Sequence, residues 1–324
     1  MADQSGRKIA FGIGKESVRG TAVAASYWIQ HLAADFYNKS NKKYNESVLG
    51  VLNKYNASEI VQDWAEGKIE GKVTDKTFGL LLLAALGTDT PAAHSGETIV
   101  YDHVITQSQS NVPQSLTVVR KDSNSDYRFA LAMLQNLEMK VAVGEFVTFV
   151  AQFMSKKGAT ASDTVAYVAE NEFKAKYATV KLATNEAGLG AASAFPVKDC
   201  KITIERTLNP YYVVGQNSPA DIFVEEFHVK GDMTLRYTDQ TYENLHFNNT
   251  PQALLLDIVN TDVTLGNAAN PELKIQLPKV VLDAWTVNQN RPNIVEQTFG
   301  FEGLYDISTT KELTVTLTNL VSAY

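Results

Sequence analysis

The segment GIGKESVRGT, at residues 12–21, comes nearest in this sequence to a phosphate-binding loop. The motif that cradles phosphates requires a glycine five residues before Gly14 and a serine or threonine directly after Lys15. Ile9 and Glu16 occupy those two positions. We therefore exclude a nucleotide site of this class and interpret Gly12 and Gly14 as glycines at the end of a strand.

The other reactive side chains are also poorly arranged for catalysis. The histidines are scattered, and none has the spacing to a second histidine that a metal site requires. No Gly-x-Ser-x-Gly motif occurs, and the many carboxylates cannot be assigned to an acid–base pair without geometry. Cys200 is the only cysteine, which excludes a disulfide framework and a thiolate metal cluster. We predict that the protein is not an enzyme and uses no cofactor or metal.

Composition narrows the class of protein further. The chain has 324 residues, 44% of them hydrophobic, which is enough for a packed core in one large domain or two smaller ones. The net charge of −7 argues against a protein that binds nucleic acid by neutralising phosphates. The second half of the chain carries the acidic excess. The apolar run FGLLLLAALG is about half of a membrane span, and the first ten residues lack a signal peptide, so we expect a cytoplasmic protein without membrane insertion.

Most segments alternate between apolar and polar residues, which is typical of strands with one buried face. The clearest hairpin is NLEMKVAVGEFVTFVAQFM, at 136–154. In its first strand Leu137, Met139 and Val141 share one face, while Glu138 and Lys140 share the other. Cys200 alternates with Ile202 in DCKITIE and is expected to be buried.

Two segments are predicted to be helices. The first covers Asp75–Leu86, with Thr74 as N-cap and Gly87 as the C-terminal stop. The second covers approximately Asp239–Asn248 and follows Thr238.

The strand before each helix carries a related sequence, which indicates an internal duplication. With an offset of 164 residues, AEGKIEGKVTDKTF (65–78) aligns with VKGDMTLRYTDQTY (229–242), so that Gly67 meets Gly231 and Thr77 meets Thr241. Each copy continues to a hairpin, at 136–154 and at 273–304. We therefore predict a mainly β protein with two tandem domains, 1–160 and 161–324, each with one flanking α-helix.

Residues 32–61 have no clear periodicity and are predicted to be a long loop of the first domain. The segment contains Phe36, Tyr37, Tyr44 and Tyr55 beside several lysines, and so many aromatic residues argue against disorder. Two interpretations stay open: a compact loop that packs on its own domain, and a loop that contacts a partner.

Five segments together resemble the tail tube proteins, or major tail proteins, of long-tailed bacteriophages. They are IGKESVRGTAVAASYWI (13–29), WAEGKIEGKVTDKTFGLLLLAALG (64–87), DYRFALAMLQNLEMKVAVGEFV (126–147), YVAENEF (167–173) and NTDVTLGNAANPELKIQL (260–277). The resemblance extends over nearly the whole chain. It implies two tandem tail-tube-type domains, each a β-sandwich or half-barrel with one helix at its side.

The same resemblance implies a structural virion protein. Six such domains close a ring, so that three chains with duplicated domains make a pseudo-hexameric ring, and rings stack into a hollow tube. DNA passes through the lumen into the host, and a tape-measure protein fills the lumen beforehand. Tail terminator and distal tail or baseplate proteins bind the ends of the tube. Assembly would take place in the host cytoplasm, before the tube becomes part of the virion.

Two sets of residues are predicted to contact these partners. The long segment is predicted to bind the next ring through Phe36, Tyr37, Lys39, Lys42, Lys43, Tyr44 and Tyr55. The polar faces of the two hairpins are predicted to face an acidic lumen through Glu138, Lys140, Thr148, Gln152, Asp283, Glu296, Thr298 and Glu302. Such a lumen would repel the duplex and keep it off the wall.

Two other functions are compatible with the sequence. A soluble module of two β-sandwich domains, such as an adhesin, would stay monomeric at high concentration. A hydrolase that uses surface carboxylates would give activity in a screen for glycosidases and esterases.

Overall fold

The computed structural model describes residues 5–289 and 294–324, which form seventeen strands, two α-helices and three short 3-10 helices. The first half of the chain contains β1 (Ala10–Lys15), β2 (Tyr27–Ile29), β3 (His31–Asn45), β4 (Ala57–Lys72), α1 (Thr77–Leu86), β5 (Gly87–Ala93), β6 (Tyr101–Gln107), β7 (Leu116–Lys121), β8 (Asp126–Ala142), β9 (Thr148–Ser155) and β10 (Ala159–Ala161). The second half contains β11 (Ala178–Ala183), β12 (Val197–Tyr211), β13 (Asp221–Arg236), α2 (Thr241–Phe247), β14 (Gln252–Val259), β15 (Glu272–Asn288), β16 (Glu296–Gly303) and β17 (Thr314–Asn319). The 3-10 helices are Gly6–Lys8, Ala175–Tyr177 and Glu186–Leu189.

Eight of the strands join into one antiparallel sheet, called the main sheet below. Its order is β3–β4–β9–β8–β12–β13–β16–β15. The first four strands come from one half of the chain and the last four from the other. Each half contributes a hairpin, then a helix, then a second hairpin, and the strands are ordered the same way in both halves. The mainly β fold with two helices, predicted from the sequence, is confirmed.

One face of the main sheet is apolar, because the strands alternate as predicted. Leu137, Met139 and Val141 of β8 are buried, as are Phe149 and Phe153 of β9. Cys200 on the neighbouring strand is buried too, as its alternation with Ile202 predicted. Both helices pack on this face, α1 with Phe78 against Phe149 and α2 with Tyr242 stacked on Phe299.

Strands β8 and β15 are long enough to belong to two layers. The beginning of β8 pairs with β7, and the beginning of β15 pairs with β14 and β17. Strand β17 continues through β6 to β5, and β14 pairs with β11 on its other side. These additional strands cover α1 and enclose the core on that side of the sheet.

The helices begin two residues later than predicted. Thr74 does not cap α1; the N-cap is Lys76, without a side-chain hydrogen bond. The Glu170 carboxylate instead accepts hydrogen bonds from the Thr77 amide and hydroxyl, where the helix dipole favours an anion. Gly87 ends α1 in the left-handed conformation, as predicted. Helix α2 begins at Thr241, whose amide donates to the Asp239 carboxylate.

Three β-bulges interrupt the main sheet in each half of the chain, and they occur at equivalent positions. Each bulge inserts one residue that has no partner across the ladder. The inserted residues of the two halves correspond as follows: Leu32 to Lys198, Val61 to Glu225, and Gln135 to Asp283, at sequence offsets of 166, 164 and 148. The helices also start at equivalent residues, Thr77 and Thr241, with the offset of 164.

Candidate functional site: the polar face of the main sheet, its edges and its hairpin tips

The second face of the main sheet, called the polar face, consists of the side chains that alternate with the core. It comprises Ala33, Asp35, Tyr37 and Lys39 of β3; Glu66, Lys68, Glu70 and Lys72 of β4; Thr148, Val150 and Gln152 of β9; Asn136, Glu138, Lys140 and Ala142 of β8; Asp199, Lys201, Thr203 and Glu205 of β12; His228, Lys230, Asp232, Thr234 and Arg236 of β13; Glu296, Thr298, Gly300 and Glu302 of β16; and Ala284 and Thr286 of β15.

Seven of the eight residues that the sequence predicted for a lumen lie together on this face. Lys140 stands opposite Thr148 on one side and Lys201 on the other. In the second half, Thr298 stands opposite Thr234 and Thr286. The eighth, Asp283, is exposed but has no partner across the ladder, because it is the residue inserted at the bulge of β15. The register brings the two hairpins into one continuous surface.

The charges on the polar face are mixed and largely paired. Lys201 lies 3.1 Å from Asp232, Lys230 lies 2.9 Å from Glu205, and Lys68 lies 2.6 Å from Glu70. The hydrogen bond to Asp232 raises the pKa of Lys201 and so favours its charged form. His228 bonds to the Glu302 carboxylate. Carboxylates slightly outnumber basic side chains on this face, so few cations are available to bind an outside anion.

The segment 32–61 is a β-hairpin and not a loop. Strands β3 and β4 pair from His31↔Gly71 to Asn45↔Ala57, and only the residues between them form the tip. The sequence shows no alternation beyond Asn38 because both faces of the hairpin are in water there. The hairpin protrudes from the body of the protein.

The prediction that Phe36 contacts another ring is wrong. Its side chain is buried in the core of its own chain, at 2% exposure, with its ring edge-on to Phe129 at 4.9 Å. The other six predicted residues lie along the hairpin. Tyr44 packs on Tyr55 with ring centroids 4.9 Å apart, and Lys39 lies over the ring of Tyr37.

The tip of this hairpin carries an apolar cluster that the sequence prediction missed. Val48, Leu49, Val51 and Leu52 are 89%, 65%, 60% and 105% exposed. The corresponding hairpin β12–β13 exposes Val214 beside Gly215 in the same way. A run of aliphatic residues inside an otherwise polar segment was the available signal. Exposed apolar clusters of this kind mark contact surfaces.

The two outer strands of the main sheet have free edges within the described residues. Strand β3 pairs with β4 alone, and Ala284–Val287 of β15 pair with β16 alone. An open groove of about 580 Å³ runs along the first part of β3, between Ile9, Phe11 and Arg120. Unpaired strand edges are templates for the addition of another strand.

Within the described ranges, no group of three or more His, Cys, Asp or Glu side chains is placed to hold a metal ion. None of the helices formed by those residues is long and apolar enough to cross a membrane. Burial raises the pKa of the Cys200 thiol, so this side chain is a poor nucleophile.

Comparison with known proteins decides the family. A family model described as "Phage tail tube protein" matches residues 6–318. The chain belongs to the phage tail tube protein family. It is thus a structural component of a virion tail, as the resemblance of its segments predicted. No curated protein matches the chain.

A solved structure titled "Hybrid structure of the SPP1 tail tube by solid-state NMR and cryo EM" is similar to this tail tube protein over part of its length. The two are 10% identical, and the similarity covers 46% of this chain and 81% of that chain with a TM-score of 0.28.

Proposed function

We propose that three copies of this tail tube protein form a ring and that rings stack into the hollow tail tube through which double-stranded DNA enters the host. The observation that carries this proposal is the eight-stranded main sheet, in which the described residues leave one edge unpaired at each end. A sheet with exposed edges is prone to aggregation unless the edges are paired. Closure by three copies pairs every edge.

The dimensions of such a ring suit its role. Three copies give a barrel of about 24 strands. A spacing of ~4.8 Å between strands gives a backbone diameter of roughly 37 Å for untilted strands and of about 45–52 Å at the usual strand tilt. The helices and the additional strands cover the apolar face, so the polar face is the one that faces inward. That diameter leaves room for a DNA duplex, and before ejection for a tape-measure protein.

The paired charges of the polar face support rapid passage of DNA. A protein binds the duplex by releasing counterions with free lysines and arginines. Here Lys68, Lys201 and Lys230 are each within 3.1 Å of a carboxylate of the same face. Lysines that are already paired with carboxylates bind the phosphates weakly, so the duplex slides along the wall.

The β3–β4 hairpin is proposed to contact the next ring, and tail terminator and distal tail or baseplate proteins to cover the same contacts at the ends of the tube. The residues proposed for this contact are Lys42, Lys43, Tyr44 and Tyr55, with Val48, Leu49, Val51 and Leu52 at the tip. Tyr37 and Lys39, which the sequence also predicted for this contact, lie nearer the body of the protein on the polar face. Burying the four aliphatic side chains against a neighbour would supply about 25 cal/mol per Å² of apolar surface. Assembly in the host cytoplasm and incorporation into the virion follow.

Negative-stain microscopy tests this proposal. The wild-type protein is expected to form hollow tubes at high concentration. Replacement of Val48, Leu49, Val51 and Leu52 by serine should leave a folded chain that no longer forms tubes. Ile307→Ser is the matched control, since that residue is 84% exposed and lies far from the hairpin in sequence. Normal tubes from the hairpin variant would contradict the stacking role.

A further inference from the structure

The junction between the two halves inside one chain indicates how two chains meet. Within the main sheet, β8 of the first half pairs with β12 of the second in an antiparallel ladder from Asn136↔Glu205 to Ala142↔Asp199. Each of these strands has a counterpart that forms a free edge: β15 for β8, and β3 for β12. A ring needs a junction between those counterparts.

The bulges show which residue of β15 corresponds to each residue of β8, and which residue of β3 corresponds to each residue of β12. The inserted residues Gln135 and Asp283 relate β8 to β15 by an offset of 148. The inserted residues Leu32 and Lys198 relate β3 to β12 by an offset of 166. An independent check agrees with both offsets: Gly67 stands between Phe36 and Phe153, and Gly231 stands between Ile202 and Phe301.

We propose that the free edge of β3 in one copy pairs with the free edge of β15 in a second copy, in the register of the β8–β12 junction. Applying the two offsets places Phe36 opposite Val287, Tyr37 opposite Thr286, Asn38 opposite Trp285, and Lys39 opposite Ala284. This inference rests on the proposed function, since it describes how one ring closes.

The proposed register keeps the two faces of the sheet continuous. Tyr37 and Lys39 lie on the polar face, and so do Thr286 and Ala284 opposite them. Phe36 is on the apolar face with Val287, which stands opposite the buried Gln297. A slip of one residue would place each of these side chains against the wrong face.

The surroundings of both edges fit a second strand. The backbone of Ala284–Val287 has no partner on the side away from β16 among the described residues, and the backbone of β3 has none on the side away from β4. The groove of about 580 Å³ beside β3 is lined by His31, Phe36 and Tyr37 of that strand. Half-buried Val287 and Trp285 would gain cover from the incoming copy.

Disulfide trapping in assembled tubes tests the register. Two double-cysteine variants are made in a Cys200→Ala background: Tyr37→Cys with Thr286→Cys, and Lys39→Cys with Ala284→Cys. On a non-reducing gel, each variant is expected to give chains linked in series, up to covalent trimers. The two positions lie at opposite edges of the eight-stranded sheet, roughly 34 Å apart, so they cannot link within one chain. The crossed combinations, Tyr37→Cys with Ala284→Cys and Lys39→Cys with Thr286→Cys, are diagonal neighbours and should link at least tenfold less.

The internal junction supplies the matched control. Glu138→Cys with Thr203→Cys replaces the in-chain counterpart of the Tyr37–Thr286 pair, and it should form a bond within one chain under the same conditions. If tubes form and this control oxidises while the matched pairs stay monomeric, or if the crossed pairs link equally well, the register is overturned and the tube function stands. If wild-type protein forms no tubes, the proposed function itself fails.

Hydrogen exchange gives a second readout that needs no substitution. The amides of 33–39 and 284–287 that point away from β4 and β16, every second residue, should be protected in tubes and exchange in the unassembled chain. Amides of the β8–β12 junction should be protected in both states. Unchanged exchange at both edges on tube formation would also overturn the inference.

Discussion

The two helices of the protein begin at equivalent residues of equivalent strands, yet their surroundings differ. All ten residues of α1 are buried, whereas none of the residues of α2 is. Helix α1 is covered by β5, β6 and the C-terminal Tyr324, whose hydroxyl donates to the Lys76 carbonyl. Helix α2 packs on β15 and leaves Phe247 69% exposed.

The comparison separates the features that both halves share from the features that differ between the halves. Glycines, bulges and helix starts recur at fixed offsets, so they determine the register of the strands. The leucine run of α1 has no counterpart in α2 and follows from the additional strands around it. We propose that a duplication followed by divergence of contacts accounts for both facts. Equivalent substitutions in the shared scaffold should therefore have similar effects in the two halves. Equivalent substitutions in the helices should have different effects.

The largest effect is expected from the paired glycines. A Cβ on Gly67 would lie 1.7 Å from the Asp35 carbonyl oxygen, and its φ of +153° disfavours other residues; a Cβ on Gly231 would lie 2.2 Å from the Lys201 carbonyl oxygen. Gly67→Val and Gly231→Val should each destabilise the protein by more than about 3 kcal/mol, measured by urea unfolding. Gly190→Ala is the control, since nothing lies within 4 Å of its Cβ position. A tolerated Gly231→Val would break the equivalence of the two sites.

A smaller and unequal effect is expected from the helices. Leu81 of α1 is fully buried, so Leu81→Ala should cost about 2–5 kcal/mol of unfolding free energy. Leu245 of α2 is half-buried, so Leu245→Ala should cost about 1 kcal/mol. Urea denaturation followed by tryptophan fluorescence gives both values. Equal losses at the two positions would contradict the difference in burial.

The smallest effect concerns the cover over α1 and depends on pH. Burial lowers the pKa of His103, but its bonds to the Asp89 carboxylate (2.9 Å) and the Val321 carbonyl (2.8 Å) raise it more, so the net shift is upward. A raised histidine pKa gives stability that is complete below about pH 6.5 and is lost as the pH rises through the folded value. The Tm of the wild type should therefore fall between pH 6 and 9 by more than that of His103→Gln. Parallel profiles would exclude this contribution.

Much of the fold follows from short-range patterns in the sequence. The alternation of Leu137, Met139 and Val141 predicted the β8–β9 hairpin and its two faces, and Gly87 predicted the end of α1. The family segments predicted the tail tube fold. These features depend on period and local conformation, which a single sequence carries.

The features that were missed depend on long-range contacts. The β3–β4 hairpin was predicted to be a loop because it projects into water and so has no buried face to give a period. Phe36 appeared to belong to that surface, although it lies where the hairpin enters the core. The bulge residues Gln135 and Asp283 look like ordinary polar strand residues, and only the pairing shows that they are inserted. At the N-terminus of α1, the Thr77 amide donates to Glu170, a residue that is distant in sequence.

End-on averages of purified rings or tubes in electron microscopy test the central claim most directly. We expect a hollow ring of three chains with six similar lobes, since each chain would contribute two halves with the same scaffold. A ring of six chains, or a protein that stays monomeric at high concentration, would contradict it.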